Sequence, residues 1–275
     1  MSNTQSPLKP LVKWSGGKQD EISHFASYLP GGSNAPFSRE EMAHYIEPFA
    51  GGAATYFHLR PRQAILSDVH SELVDFYSEI SKGNAQEIYN FMTEHPNDED
   101  MYYRVRDQIQ VTSPIENACR FYYLRKTCYR GMMRYNKKGG FNIPYGRYKT
   151  INYEELKNTE YAELLSGAKI TCEGFEEIFA RYDDPANFMF LDPPYDSVFT
   201  DYGYCKFGEK EHRKLAECFK TTKNKCLMII GKTPLITELY GDYIVEEYEK
   251  KYKFKLHSGR VGDEINAIHV IIKNW

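Results

Sequence analysis

The sequence predicts an α/β protein in which a doubly wound, mostly parallel sheet is interrupted by a mainly helical insertion. Three observations carry this: strand-like apolar runs alternate with helical segments at the front of the chain, the rhythm is lost over residues 81–158, and it resumes from residue 169. Residues 21–28 read as a first helix, residues 44–46 as a short strand, 48–53 as a glycine-bearing turn and 54–59 as a helix. A second strand over 64–66 ends in Ser67 and Asp68, and an amphipathic helix follows over 72–80. In the middle, 85–92, 101–111 and 118–127 have helical composition and 137–141 is a glycine turn. Strands return at 169–172, 187–191, 226–230 and 267–272, with a charged helix over 209–220. Residues 1–80 and 159–275 are thus read as one sheet domain, and 81–158 as a domain inserted into it.

The 275 residues are enough to bury a real core, and 41% hydrophobic with 27% charged residues exclude a disordered tail or a fibrous repeat as the bulk of the chain. No stretch approaches the roughly 18 consecutive apolar residues of a membrane span, and the first ten residues are polar, without a secretion core. Cys119, Cys128, Cys172, Cys205, Cys218 and Cys226 form no C-x-x-C pair and have no histidines at zinc spacing, so they read as reduced thiols with no metal implied. A cytoplasmic protein is expected. The net charge of −3 excludes a uniformly basic coat but not a local patch.

Four segments carry chemistry. Asp192-Pro193-Pro194-Tyr195 directly follows the apolar run 187–191, at the carboxyl end of a predicted strand, where open α/β sheets bind ligands. Two prolines fix the backbone and hold the Pro193 carbonyl rigidly as an acceptor. An acid, a fixed carbonyl and an aromatic ring within four residues suit an exocyclic amine on a planar base such as adenine N6. The plainer alternative, a proline turn with a packing tyrosine, is weakened by the strand before it. Glu47-Pro48-Phe49-Ala50-Gly51-Gly52 closes the first strand, and Asp68 closes the next; a glycine turn with a neighbouring strand-end acid fits a nucleoside cofactor. Because Tyr56 stands where a third glycine would, a nicotinamide dinucleotide is disfavoured, and an ordinary glycine turn fits equally well. Lys13-Trp14-Ser15-Gly16-Gly17-Lys18 lacks the spacer and hydroxyl of a phosphate loop; it suits a loop folded over a cofactor or a solvated turn.

The fourth segment, 117–149, holds Arg120, Arg125, Lys126, Arg130, Arg134, Lys137, Lys138, Arg147 and Lys149 and no Asp or Glu. The rest of the chain then carries −12, a separation of sign that favours a polyanion contact over an ordinary solvated face. Phe121, Tyr122, Tyr123, Tyr129, Tyr135, Phe141, Tyr145 and Tyr148 are interleaved, rings able to stack on bases while the cations meet phosphate or guanine edges; Phe121 and Tyr122 suit the core better.

In this order, and with the run from Arg134 to Tyr148, the motifs resemble the Dam family of DNA adenine N6-methyltransferases, the D12 or alpha-type group, over most of the chain from Lys13 to about Ile272. The resemblance implies a Rossmann-like methyltransferase sheet, S-adenosylmethionine as methyl donor, and an inserted target-recognition domain with a β-hairpin over 136–145. It implies catalysis by Asp192, Pro193 and Tyr195. Cofactor contacts fall at Trp14, Lys18, Glu47, Phe49, Gly51, Asp68 and Asp192, with Phe175 against the donor's adenine. DNA contacts fall at Lys13, Tyr129, Arg130, Arg134, Asn136, Lys137, Lys138 and Arg147, where Arg134 holds the guanine-reading position. Double-stranded DNA is the implied partner, a GATC-like site the implied target, and a cognate restriction endonuclease an admissible second partner. The chain departs from the best-known subgroup in having Tyr129-Arg130-Gly131 where those relatives carry Tyr-Asn-Gly.

An N4-cytosine methyltransferase would use the same pocket chemistry but resembles a Ser-Pro-Pro-Tyr pattern more often. A glutamine or RNA-base enzyme with Asn-Pro-Pro-Tyr is disfavoured on the same ground by Asp192. A non-catalytic DNA-binding regulator is disfavoured by the intact Asp192-Pro193-Pro194-Tyr195 motif.

Overall fold

Strands and helices alternate as expected through much of the computed structural model, which describes residues 6–136, 138–196, 207–251 and 266–275. The strands are β1 (Tyr45–Glu47), β2 (Ala64–Ser67), β3 (Ala168–Thr171), β4 (Phe188–Leu191), β5 (Lys225–Gly231), β6 (Ile244–Lys251) and β7 (Asn266–Lys273). The α-helices are α1 (Ile22–Phe25), α2 (Ala54–Leu59), α3 (Ser71–Ser81), α4 (Ala85–Glu94), α5 (Glu99–Asp107) and α6 (Pro114–Thr127), then α7 (Glu160–Ser166), α8 (Phe175–Arg181), α9 (Glu209–Thr221) and α10 (Pro234–Tyr240). This is a mixed α/β sheet with interspersed helices, of the Rossmann-like class with helical insertions. No helix of the described residues is long and apolar enough to cross a membrane.

The described residues fall into two compact units. The first comprises residues 6–20 and 48–174. In it β2 and β3 pair in parallel, Ala64 opposite Ala168, and α2 to α7 supply the rest. Much of the tyrosine excess sits in this core: Tyr56, Tyr77, Tyr102, Tyr122 and Tyr123 are buried, and the Tyr122 ring stacks on Phe76 at 5.1 Å. Tyr102 donates to the Ile143 carbonyl at 2.7 Å, whereas the buried Tyr122 hydroxyl has no hydrogen-bond partner among the described residues.

The second unit comprises 21–47, 175–196, 207–251 and 266–275. Its strands run in the order β1-β4-β5-β7-β6; β1, β4 and β5 are parallel, while β7 is antiparallel to both neighbours. Every residue of β4 is buried, which is why its sequence reads as an unbroken apolar run: a parallel strand covered on both faces needs no polar alternation. At the edge, β6 is mostly charged, as suits a strand whose outer backbone faces solvent, and that composition hid it from hydrophobic patterning.

Three helices differ clearly from the sequence expectation in where they start or stop. The helix expected over 21–28 is a single turn, α1, followed by a 3-10 turn over Ala26–Tyr28. Pro30 holds Leu29 extended (φ −74°, ψ 152°) and ends the run. Expected over 101–111, α5 instead starts where Asp98 accepts the Met101 N–H at 2.8 Å and stops at Asp107, before the β-branched Ile109, Val111 and Thr112. Pro114 at the first turn and the Ser113 cap start α6 earlier than the expected residue 118.

Candidate active site

In the first unit, Asp68 stands just past the end of β2 and is buried. The Gly51 N–H donates to its Oδ2 at 2.9 Å and the His70 N–H to its Oδ1 at 2.9 Å. Burial pushes this carboxyl up to about 6, against the pull of its backbone donors, the Val69 N–H among them. Three backbone donors on a carboxylate with four lone-pair sites leave acceptor capacity for a ligand hydroxyl. Gly51 has φ +46°, and a Cβ there would lie 2.6 Å from Cδ1 of Trp14: the turn is moulded against the indole. Gly51→Ala should therefore lose about 1–2 kcal/mol from the left-handed backbone alone, and more from the displaced indole. Thermal denaturation checks this.

The Trp14 indole meets the His70 ring edge-on at 5.5 Å, with the Arg125 guanidinium 5.6 Å from its own ring centre. Lys18 is buried, and its ammonium donates to the Gly16 carbonyl at 2.9 Å; Phe49 is half-buried and Lys13 exposed.

In the second unit, β4 delivers Asp192-Pro193-Pro194-Tyr195, with Pro193 buried and the other three half-buried. The His269 ring lies edge-on to Tyr195 at 5.4 Å. His269 Nδ1 lies 2.6 Å from Glu21 Oε2, which also accepts the Tyr248 hydroxyl at 2.7 Å; Lys250 Nζ pairs with Glu21 Oε1 at 3.0 Å. Glu21 is 3% exposed, and this set of donors is what makes a buried carboxylate tolerable. The Tyr248 phenol is pushed up by burial and by Glu21. Sequence reading missed Glu21, Tyr248 and His269, since no spacing links them. Glu47 is buried and accepts from the Tyr45 hydroxyl. Phe175 is buried at the start of α8, 5.9 Å ring to ring from Phe207.

The basic segment of the first unit divides into inward and outward cations. Arg120 donates to the Val105 and Arg106 carbonyls at 3.2 and 2.8 Å and meets Glu72 at 3.2 Å. Arg125 is 4% exposed and donates to the Met132 carbonyl at 2.8 Å and to the Lys13 carbonyl. These two tie backbone segments together. Arg130, Arg134, Lys138, Arg147 and Lys149 are exposed, Arg147 lying 3.3 Å from Glu99; Lys137 lies outside the described residues. Of the rings, Phe121, Tyr122 and Tyr123 are core, while Tyr129 is 42% exposed. Arg130 and Gly131 both have positive φ, 56° and 61°, a sharp turn that carries Tyr129 and Arg130 at the surface.

A bridge joins Tyr135 to Phe141, and a second joins Cys128 to Tyr145. Arg134 Nε donates to Asn142 Oδ1 at 2.8 Å, and Asn136 Oδ1 accepts the Lys138 and Gly140 N–H groups at 2.9 and 3.0 Å, shaping the turn. Among the described residues no group of three or more His, Cys, Asp or Glu could hold a metal ion.

Asp-Pro-Pro-Tyr at the carboxyl end of a buried parallel strand in the second unit, and in the first an acid hydrogen-bonded to a glycine turn at a strand end, are marks of a Rossmann-like methyltransferase class. The family model for D12 class N6 adenine-specific DNA methyltransferases matches residues 14–256, and the chain belongs to this family of S-adenosylmethionine-dependent, DNA-binding enzymes. It is 57% identical over 270 residues to the type II methyltransferase M.CviBI of Paramecium bursaria Chlorella virus NC1A, covering 98% of this chain and 100% of that protein. It is 31% identical to the type II methyltransferase M1.LlaDCHI of Lactococcus lactis subsp. cremoris, covering 88% of each chain. A DNA adenine methylase of Escherichia coli K12 is 29% identical over 76% of this chain and 74% of its own.

Proposed function

We propose that this enzyme methylates N6 of an adenine flipped out of duplex DNA at a specific, GATC-like site, with Asp192, Pro193 and Tyr195 as its catalytic groups. The observation that carries the reading is Asp192-Pro193-Pro194-Tyr195 at the carboxyl end of a fully buried parallel strand. Inside a base pair N6 cannot offer its lone pair, so flipping comes first. The Asp192 carboxylate and the Pro193 carbonyl accept the two N6 hydrogens, drawing the nitrogen lone pair out of ring conjugation and orienting it. Tyr195 stacks on the base, and His269, anchored by Glu21, steadies that ring.

When bound, S-adenosylmethionine would supply an electrophilic methyl on a sulfonium that leaves as a neutral thioether, and the proton N6 sheds would pass to the Asp192 carboxylate or to water, so no metal is needed. In the first unit Asp68 fits its ribose hydroxyls, having acceptor capacity beyond its backbone donors, and Trp14, Lys18, Phe49 and Gly51 are cofactor contacts in this reading; in the second unit the family resemblance adds Glu47, Phe175 and Asp192. Ligand hydroxyls favour the ionised acid, whereas the free protein protonates it as pH falls below about 6. Cofactor affinity should therefore be flat above that value and fall below it by up to about tenfold per pH unit. Asp68→Asn should bind weakly without that slope; calorimetric titration from pH 5 to 8 reads both.

Residues 81–158 act in this reading as the target-recognition domain. Lys13, Tyr129, Arg130, Arg134, Asn136, Lys137, Lys138 and Arg147 meet DNA, Arg134 reading a guanine. The exposure of Arg134 and its fixing by Asn142 support this. A restriction endonuclease sharing the site is the second partner in the proposal. Sequencing modified bases in DNA from cells expressing the protein tests the whole: N6-methyladenine confined to one GATC-like motif is expected. Methyl groups on cytosine N4, or scattered among unrelated sequences, would refute it.

A further inference from the structure

Within the first unit, one hydrogen-bonded chain runs from Asp68 to the stretch that carries Arg134. His70 caps α3 with its side chain: Nδ1 accepts the Leu73 N–H at 3.2 Å, which leaves the ring proton on Nε2. Nε2 lies 2.7 Å from the Tyr135 hydroxyl and donates to it. That hydroxyl donates in turn to Glu72 Oε2, while Glu72 Oε1 holds Arg120 at 3.2 Å. At the opposite end the His70 backbone N–H is one of the donors to Asp68.

Capping alone does not account for a histidine here, since Asn, Asp or Ser would cap the helix as well or better. What the imidazole adds is a second nitrogen aimed at Tyr135. Burial, with Arg125 nearby, pulls this ring down to about 3, so it stays neutral and keeps both roles across the working pH range. Tyr135 follows Arg134 directly, bridges Phe141 through the backbone and packs on it edge-on at 5.7 Å. Its attachment to His70 therefore sets where the 134–142 stretch stands relative to the glycine turn.

We propose that His70 and Tyr135 are positioning residues that fasten the base-reading stretch to the cofactor-bearing turn, so that occupation of the Asp68 site and the reading of DNA sequence are thermodynamically coupled. The proposal rests on the assignments of Asp68 and Arg134 made above. Coupling is reciprocal: a cofactor that orders the turn raises DNA affinity by the same factor that DNA raises cofactor affinity.

The test is the affinity of a cognate duplex, read by fluorescence anisotropy, with and without S-adenosylhomocysteine. Wild type, Tyr135→Phe and His70→Asn are compared. Tyr135→Phe removes one hydroxyl and keeps the ring packing; His70→Asn keeps a helix cap and loses the reach, so two independent variants probe the link. Wild type should bind the duplex about tenfold tighter with the cofactor product present. Both variants should bring that factor below about twofold, while cofactor and DNA each bind alone within about threefold of wild type. A factor unchanged in either folded variant, or no factor in wild type, overturns the proposal. The underlying assignments fail separately: Asp68→Asn binding cofactor normally, or Arg134→Ala losing no discrimination, would overturn them without altering the coupling measured.

Discussion

Replacing Asp192 with Ala should abolish methyl transfer while duplex binding is kept. The carboxylate accepts one N6 hydrogen in the proposed arrangement, and without it the amine keeps its lone pair conjugated with the purine. Loss of one preorganised polar group at a reacting centre typically lowers turnover by about a hundred- to a thousandfold. Losing the orientation of the nucleophile adds to that. A radiolabelled methyl-transfer assay on adenine-containing duplexes, paired with anisotropy for DNA affinity, reads both quantities. Near-normal turnover in Asp192→Ala would remove Asp192 from the catalytic set. Tyr195→Ala is a useful companion: losing the stacked ring should weaken capture of the flipped base by about 1–3 kcal/mol, the usual worth of base–aromatic stacking.

Replacing Arg134 with Ala should relax sequence choice at one base. A good bidentate contact to guanine is worth about 1–3 kcal/mol of discrimination, roughly ten- to more than a hundredfold in kcat/KM between the cognate site and its single-base variant. Arg134 is exposed, and Asn142 holds its guanidinium through both side chain and backbone, at 2.8 and 3.2 Å, so the group is prepositioned. Kinetics on a duplex set with each position varied would locate the base it reads. An equal loss on every sequence, with a lower salt slope, would reassign Arg134 to phosphate.

Much of the frame was legible in the chain. The strand-end positions of Asp68 and Asp192 follow from the apolar runs before them, because buried parallel strands need continuous hydrophobic sequence. The glycine turn at Gly51 was legible as a turn, but its moulding on Trp14 was not, since 37 residues separate them. The charge segregation of 117–149 was plain, yet its division was hidden: Arg120 and Arg125 look like their neighbours in sequence and are spent on backbone carbonyls. Edge strand β6 escaped because its charges carry no apolar signal.

What this sequence determined by itself is local: where strands and helices lie, where rigid proline and permissive glycine interrupt them, and which residue types stand at the strand ends. Tertiary structure decided the partners. Glu21 meets His269 across 248 residues, and His70 meets Tyr135 across 65. Periodicity and backbone propensity act over a few residues, whereas the choice of acceptor for a buried donor depends on which surfaces packing brings together, and no stretch of sequence contains that information alone.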